Sequence, residues 1–214
     1  MPLDWEPLPT AKRGHEAEYD SLFKKLAQAR PDRRDQLTDW FFQVAVPPFE
    51  TIGAPRVGHD DAANEWLLKR AQKSNRSEAE IEALKVEMHG YYVLEIMPPC
   101  DGFPVYSNHL ASEHLERYAF NAELLLPLQD ILGEELHRLL QTAHLAPELM
   151  ELGKRLDAAA RTFVTDNKLA DTIATIREPV FPEGSPERKA HIMFAAAKWC
   201  TYWSARGYGL APVG

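Results

Sequence analysis

Apolar residues recur at helical spacing in one segment after another of this chain, and prolines punctuate the segments. Tyr19, Leu22, Phe23 and Leu26 fall at i, i+3, i+4 and i+7, and Leu37, Trp40, Phe41 and Val44 repeat that spacing. Pro31 ends the first run, because the residue before a proline is pushed out of the α region, and Pro47-Pro48 closes the second. The two runs predict an αα-hairpin. Asp60 or Asp61 is placed to cap a helix bearing Ala63, Trp66, Leu67 and Arg70. Ser77-Glu78-Ala79-Glu80 fits a capping box, with Ile81, Leu84 and Met88 following and Gly90 where a left-handed residue would end the helix.

Further along, Ser107 or Asn108 starts a predicted helix through Leu115, Tyr118, Ala119 and Ala122. Pro127 must kink or split its continuation, since it removes a backbone donor and clashes with the preceding turn. Gly133 separates a segment with Leu136, Leu139 and Leu140 on one face. Pro147 suits the first turn of a helix bearing Leu149, Leu152, Leu156 and Phe163. After a weaker stretch, Leu169, Ile173 and Ile176 resume the pattern until Pro179. The last helix, about 187–206, is apolar on most sides, with His191, Lys198 and Thr201 as its polar stripe. Such a helix is buried, in the core or at a contact between copies of the chain. The expected fold is therefore mainly α: one domain over 15–207 of about eight helices. An extended N-terminal arm, 1–14, is pinned by Trp5 and Leu8, and 208–214 forms a C-terminal tail.

One stretch breaks the helical rhythm. In 90–114, GYYVLEIMPPCDGFPVYSNHLASEH, residues 91–97 alternate aromatic, β-branched and aliphatic side chains, which suits a buried strand. Pro98-Pro99 ends it, Asp101-Gly102 is a turn dipeptide, and 103–107 could return as a partner strand. The expectation is one small central β-hairpin. Its loop and exit gather Asp101, Tyr106, Asn108, His109, Glu113 and His114 beside the apolar Phe103, the mixture typical of ligand pockets.

Charge narrows the partners. The chain carries 24 basic and 32 acidic residues, a net −8. Between residues 108 and 151, eight acidic residues face only Arg117 and Arg138. An acidic centre disfavours nucleic-acid phosphate and favours cations or a basic partner, although most such charge simply solvates a helical surface. No run approaches 18 apolar residues, so no membrane span is expected, and residues 1–16 lack an apolar leader. Cys100 and Cys200 make neither a disulfide framework nor a CxxC motif. The expected location is the cytoplasm.

Four constellations of residues bear on chemistry. His109 and Glu113, four apart, share a helix face, as do Glu134 and His137, three apart; together they are the candidate ligands of a divalent metal. Ferritin-like di-metal bundles need a Glu-x-x-His step on two helices, and Glu134–His137 is the only one here. His59-Asp60 is adjacent like the metal pair of one hydrolase class, but lacks that class's further ligands; Asp60 reads more simply as a helix cap. Residues 53–58, GAPRVG, precede a helix start yet match neither dinucleotide nor P-loop spacing. Cys100 beside Asp101 is poorly placed as a thiolate, and no G-x-S-x-G surrounds any serine.

The sequence thus points first to a non-catalytic protein that binds a protein partner or small molecule through the central loop, 97–114. The alternative is a metal-dependent enzyme using the Glu/His pairs within 109–144. A third role is assembly as a homo-oligomer through the C-terminal helix.

Overall fold

The computed structural model of the chain describes residues 3–46, 53–97, 106, 119–169 and 181–213. Among these it holds seven α-helices and five short strands, so the protein is mainly α with a small sheet. No helix of the described residues is long and apolar enough to cross a membrane.

Two helices form the centre. We label the described helices in chain order: α1 Glu16–Ala27, α2 Pro31–Gln43, α3 Asp61–Lys73, α4 Glu78–Glu87, α5 Gln129–Leu139, α6 Ala146–Asn167 and α7 Pro186–Ser204. Helices α6 and α7 run antiparallel, since Met150 lies against Ser204, Gly153 against Cys200 and Arg161 against Phe194. Their line of contact is close because Gly153 has no side chain: a Cβ there would stand 2.9 Å from the Cys200 Cβ. Ser185 caps α7 by accepting the Arg188 N–H at 3.2 Å. Leu149, Leu152 and Leu156 of α6 and Met193, Trp199 and Trp203 of α7 are all buried in one cluster. The apolar girth of α7 is therefore taken up largely within a single chain. Among its polar residues, Lys198 and Thr201 are exposed but His191 is buried.

The segments read as an arm and a tail pair with each other. Strands β1 (Asp4–Leu8) and β5 (Gly209–Val213) are antiparallel, and β1 also pairs with β4 (Phe120–Asn121), giving the order β4-β1-β5. Trp5 in the middle strand is fully buried between Phe120 and Trp199, with ring centroids 5.3 and 5.7 Å away. Sequence periodicity cannot reveal this, because a five-residue strand holding one proline and one tryptophan gives no alternation to count.

The helix expected from Ser107 or Asn108 lies outside the described residues up to 118; from Ala119 on, β4 and a 3-10 helix, Ala122–Leu128, containing Pro127, stand in place of its continuation. Phe120 and Leu125, which helical spacing left off the predicted face, are buried in the main cluster, Phe120 against Trp5. Gly133 breaks α5 as expected, at φ 76° and ψ 157°, a backbone that only glycine adopts readily.

Helices α1 and α2 form the expected hairpin, with Tyr19 and Leu22 packed on Phe41 and Val44. Pro31 serves as the first residue of α2. Trp40, predicted on the packed face, is 47% exposed; Phe41 and Val44 are buried with Leu37 partly buried beside them, a line narrower than the spacing suggested. Strands β2 (Thr10–Ala11) and β3 (Ala45–Val46) tie the hairpin's two ends together.

Helices α3 and α4 enclose a separate small cluster of Val57, Ala63, Leu67, Met88 and Val93. The capping box at α4 is formed in full: Ser77 Oγ accepts the Glu80 N–H and Glu80 accepts the Ser77 N–H at 2.7 Å. Asp60 stands at the N-cap of α3, but its carboxylate accepts the Arg56 N–H at 2.6 Å instead of a helix amide.

The predicted strand at 91–97 does not form. Tyr92 makes a single bridge to Arg56, the Val93 N–H donates to the Pro55 carbonyl at 2.7 Å, and Leu94–Ile96 then turns as a 3-10 helix. Aromatic and β-branched residues favour a pleated surface only where a neighbouring strand supplies one. Here the neighbour is the irregular 55–57 turn, and Val93 buries into the small cluster instead. The proposed return strand, 103–107, lies outside the described residues except for Tyr106.

Candidate functional site

Beyond Met97, Tyr106 is the described residue of the central loop, and it is anchored rather than displayed. Its ring is half-buried against the main core, and its hydroxyl lies 2.9 Å from His191 Nδ1. Its carbonyl accepts the Asn121 N–H at 2.9 Å, so the loop is fastened to β4 as well as to α7. The tyrosine and histidine rings meet edge to face at 5.5 Å, and Phe181 approaches the same histidine at 6.3 Å. This suits the chemistry of the residues. A buried tyrosine O–H usually finds a hydrogen-bond partner, and the unprotonated nitrogen of a neutral imidazole can accept it. With Nδ1 as acceptor, the ring proton sits on Nε2; the other tautomer reverses donor and acceptor.

His191 itself is only 6% exposed, in a helix whose neighbours Ala190, Ile192 and Met193 are all buried. Sequence reading put it on a polar stripe. The signal that could have moved it inward was present: apolar residues flank it directly on both sides, and a helix that is apolar almost all round has no free face left for it. Nothing in the sequence, however, links position 106 to position 191.

Of the other residues expected in the loop site, Asp101, Asn108, His109, Glu113 and His114 lie outside the described residues. The described half of the expected metal set is Glu134 and His137. Glu134 is exposed on α5. His137 is half-buried, with Nε2 3.0 Å from the Leu126 carbonyl, a bond that ties α5 back to the 3-10 helix before it. His144, two turns further on in the sequence, is buried. Its Nε2 lies 2.7 Å from the Leu139 carbonyl and 3.1 Å from Thr142 Oγ1, so it holds the turn between α5 and α6 together. No group of three His, Cys, Asp or Glu side chains gathers as a metal set among the described residues.

The acidic span behaves largely as helical surface. Glu123, Asp130, Glu134, Glu135, Glu148 and Glu151 are all exposed. Glu135 pairs with Arg155 at 3.0 Å, Glu151 lies 3.6 Å from Lys154, and Glu148 accepts the Leu145 N–H at the start of α6. Such exposed pairs contribute little to stability. Cys200 is fully buried, and burial pushes its thiol well above the usual cysteine range, so it is an inert packing group. Cys100 lies outside the described residues.

No protein-family model matches the chain, and no match was found among curated proteins or solved structures.

Proposed function

We propose that this chain is a non-catalytic binding protein whose central loop, 97–114, engages a small molecule or a protein partner where it meets the C-terminal helix. The observation that supports this reading is the Tyr106–His191 hydrogen bond. That bond, with the Tyr106 carbonyl accepting the Asn121 N–H, fixes Tyr106 on the protein body as one point of contact for a ligand. The negative charge of the chain favours neutral or cationic ligands over phosphates.

Incorporating fluorotyrosine and screening a diverse fragment library by ¹⁹F NMR tests this directly. Fragments that bind should move the Tyr106 resonance first, and their thermal-shift effect should vanish in Tyr106→Ala. Binding fragments that leave Tyr106 untouched, with equal effect on Tyr106→Ala, would sink the proposal.

A further inference from the structure

Away from that loop, two histidines thirty positions apart in sequence face each other at the surface. His59 lies in the turn before α3 and His89 in the turn after α4; both are exposed. Their ring centroids are 5.2 Å apart, with planes inclined at 53°. Backbone bonds fix both turns. The His59 N–H donates to the Arg56 carbonyl at 3.1 Å, and the His89 N–H to the Val86 carbonyl at 3.3 Å. Between the turns, the Gly90 N–H donates to Val57 and the Val57 N–H to Tyr91, each at 2.8 Å. Gly58, at φ +82°, makes the room: a Cβ there would stand 2.3 Å from His89 Cδ2 and 2.6 Å from Nε2. The nearby Arg56 guanidinium is engaged elsewhere, its Nε 2.8 Å from the Gly90 carbonyl and its Cζ 5.4 Å from the centre of the Tyr92 ring.

Two imidazoles that bind one ion through nitrogen at about 2.0–2.1 Å, in adjacent tetrahedral or octahedral positions, place their ring centroids about 4.5–5.2 Å apart. The separation seen here is that of such a pair. We propose that His59 and His89 form a two-imidazole site for a divalent first-row transition ion, with water completing its coordination. Imidazole nitrogen selects zinc, nickel and copper over the oxygen-seeking calcium and magnesium. No third His, Cys, Asp or Glu completes a set among the described residues, and the Asp60 carboxylate is held by the Arg56 N–H. The site is therefore open and exchangeable rather than a closed structural one.

Calorimetric titration of tag-free protein with Ni²⁺ tests the site. One ion should bind, and His59→Ala and His89→Ala should each weaken it by about tenfold or more. His15→Ala and His137→Ala should leave it unchanged. Gly58→Ala, which keeps both imidazoles but drives a methyl against His89, should also weaken it. Both site histidines are exposed, so their variants should keep the wild-type circular dichroism. If the double variant His59→Ala/His89→Ala binds Ni²⁺ as tightly as wild type, or if either single variant loses nothing, the site does not exist.

Discussion

The Trp5 indole N–H donates to the Leu140 carbonyl at 2.8 Å, joining residues 135 positions apart. One side chain thus ties the first strand to the end of α5 while its ring fills the centre of the main core. Truncating so large a buried ring costs about 3–5 kcal/mol. Trp5→Ala should therefore unfold the protein at much lower denaturant, and Trp5→Phe should give an intermediate loss. Phenylalanine keeps the ring against Phe120 but takes the donor from a buried carbonyl, an omission that costs about 1–3 kcal/mol. Equal midpoints for Trp5→Phe and wild type would mean that the indole bond contributes nothing.

At Gly153 two effects oppose each other. Alanine inside a helix gains about 0.5–1 kcal/mol over glycine, but the added methyl would lie 2.9 Å from the Cys200 Cβ and 3.3 Å from the Ala197 carbonyl oxygen. Neither of those atoms can swing aside, so the two helices must separate. Overpacking of this kind costs about 1–3 kcal/mol, and Gly153→Ala should lower the melting temperature. A raised melting temperature would show that α6 and α7 pack less closely than described.

The capping box offers a local and pH-dependent test. Ser77→Ala should cost about 1 kcal/mol, whereas Ser74→Ala, whose exposed hydroxyl only bonds back to the Arg70 carbonyl, should cost little. The bond from the Ser77 hydroxyl, followed by that from its backbone N–H, holds the Glu80 carboxyl below the usual carboxylate range. A depressed folded-state value means its contribution is present above the unfolded value, 4.5, and is lost as pH falls through the folded one. Urea midpoints measured from pH 6 down to pH 3 should thus fall less steeply in Glu80→Gln than in wild type. Identical pH profiles would remove Glu80 from the cap.

What the sequence determined by itself is local. Helical spacing placed α1, α2, α6 and α7, Ser77 and Glu80 marked the start of α4, and Pro127 and Gly133 marked two breaks. Each of these signals acts within a few residues, through a backbone angle, a cap or one face of a helix. Tertiary structure decided the rest, because those outcomes depend on a partner distant in sequence. Trp5 reads as a loop residue until β5 and β4 arrive on either side of it to complete the ladder. Residues 91–97 carry mostly side chains that a strand prefers, yet among the described residues it is the 55–57 turn that bonds to them, so one bridge and a 3-10 turn result. His191 looks polar by composition and is buried by its position, where Tyr106 supplies the hydrogen bond that makes burial tolerable. His59 and His89 meet only because α3 and α4 fold their ends together over Val57 and Val93. A contact between side chains dozens of residues apart leaves no period to read along the chain.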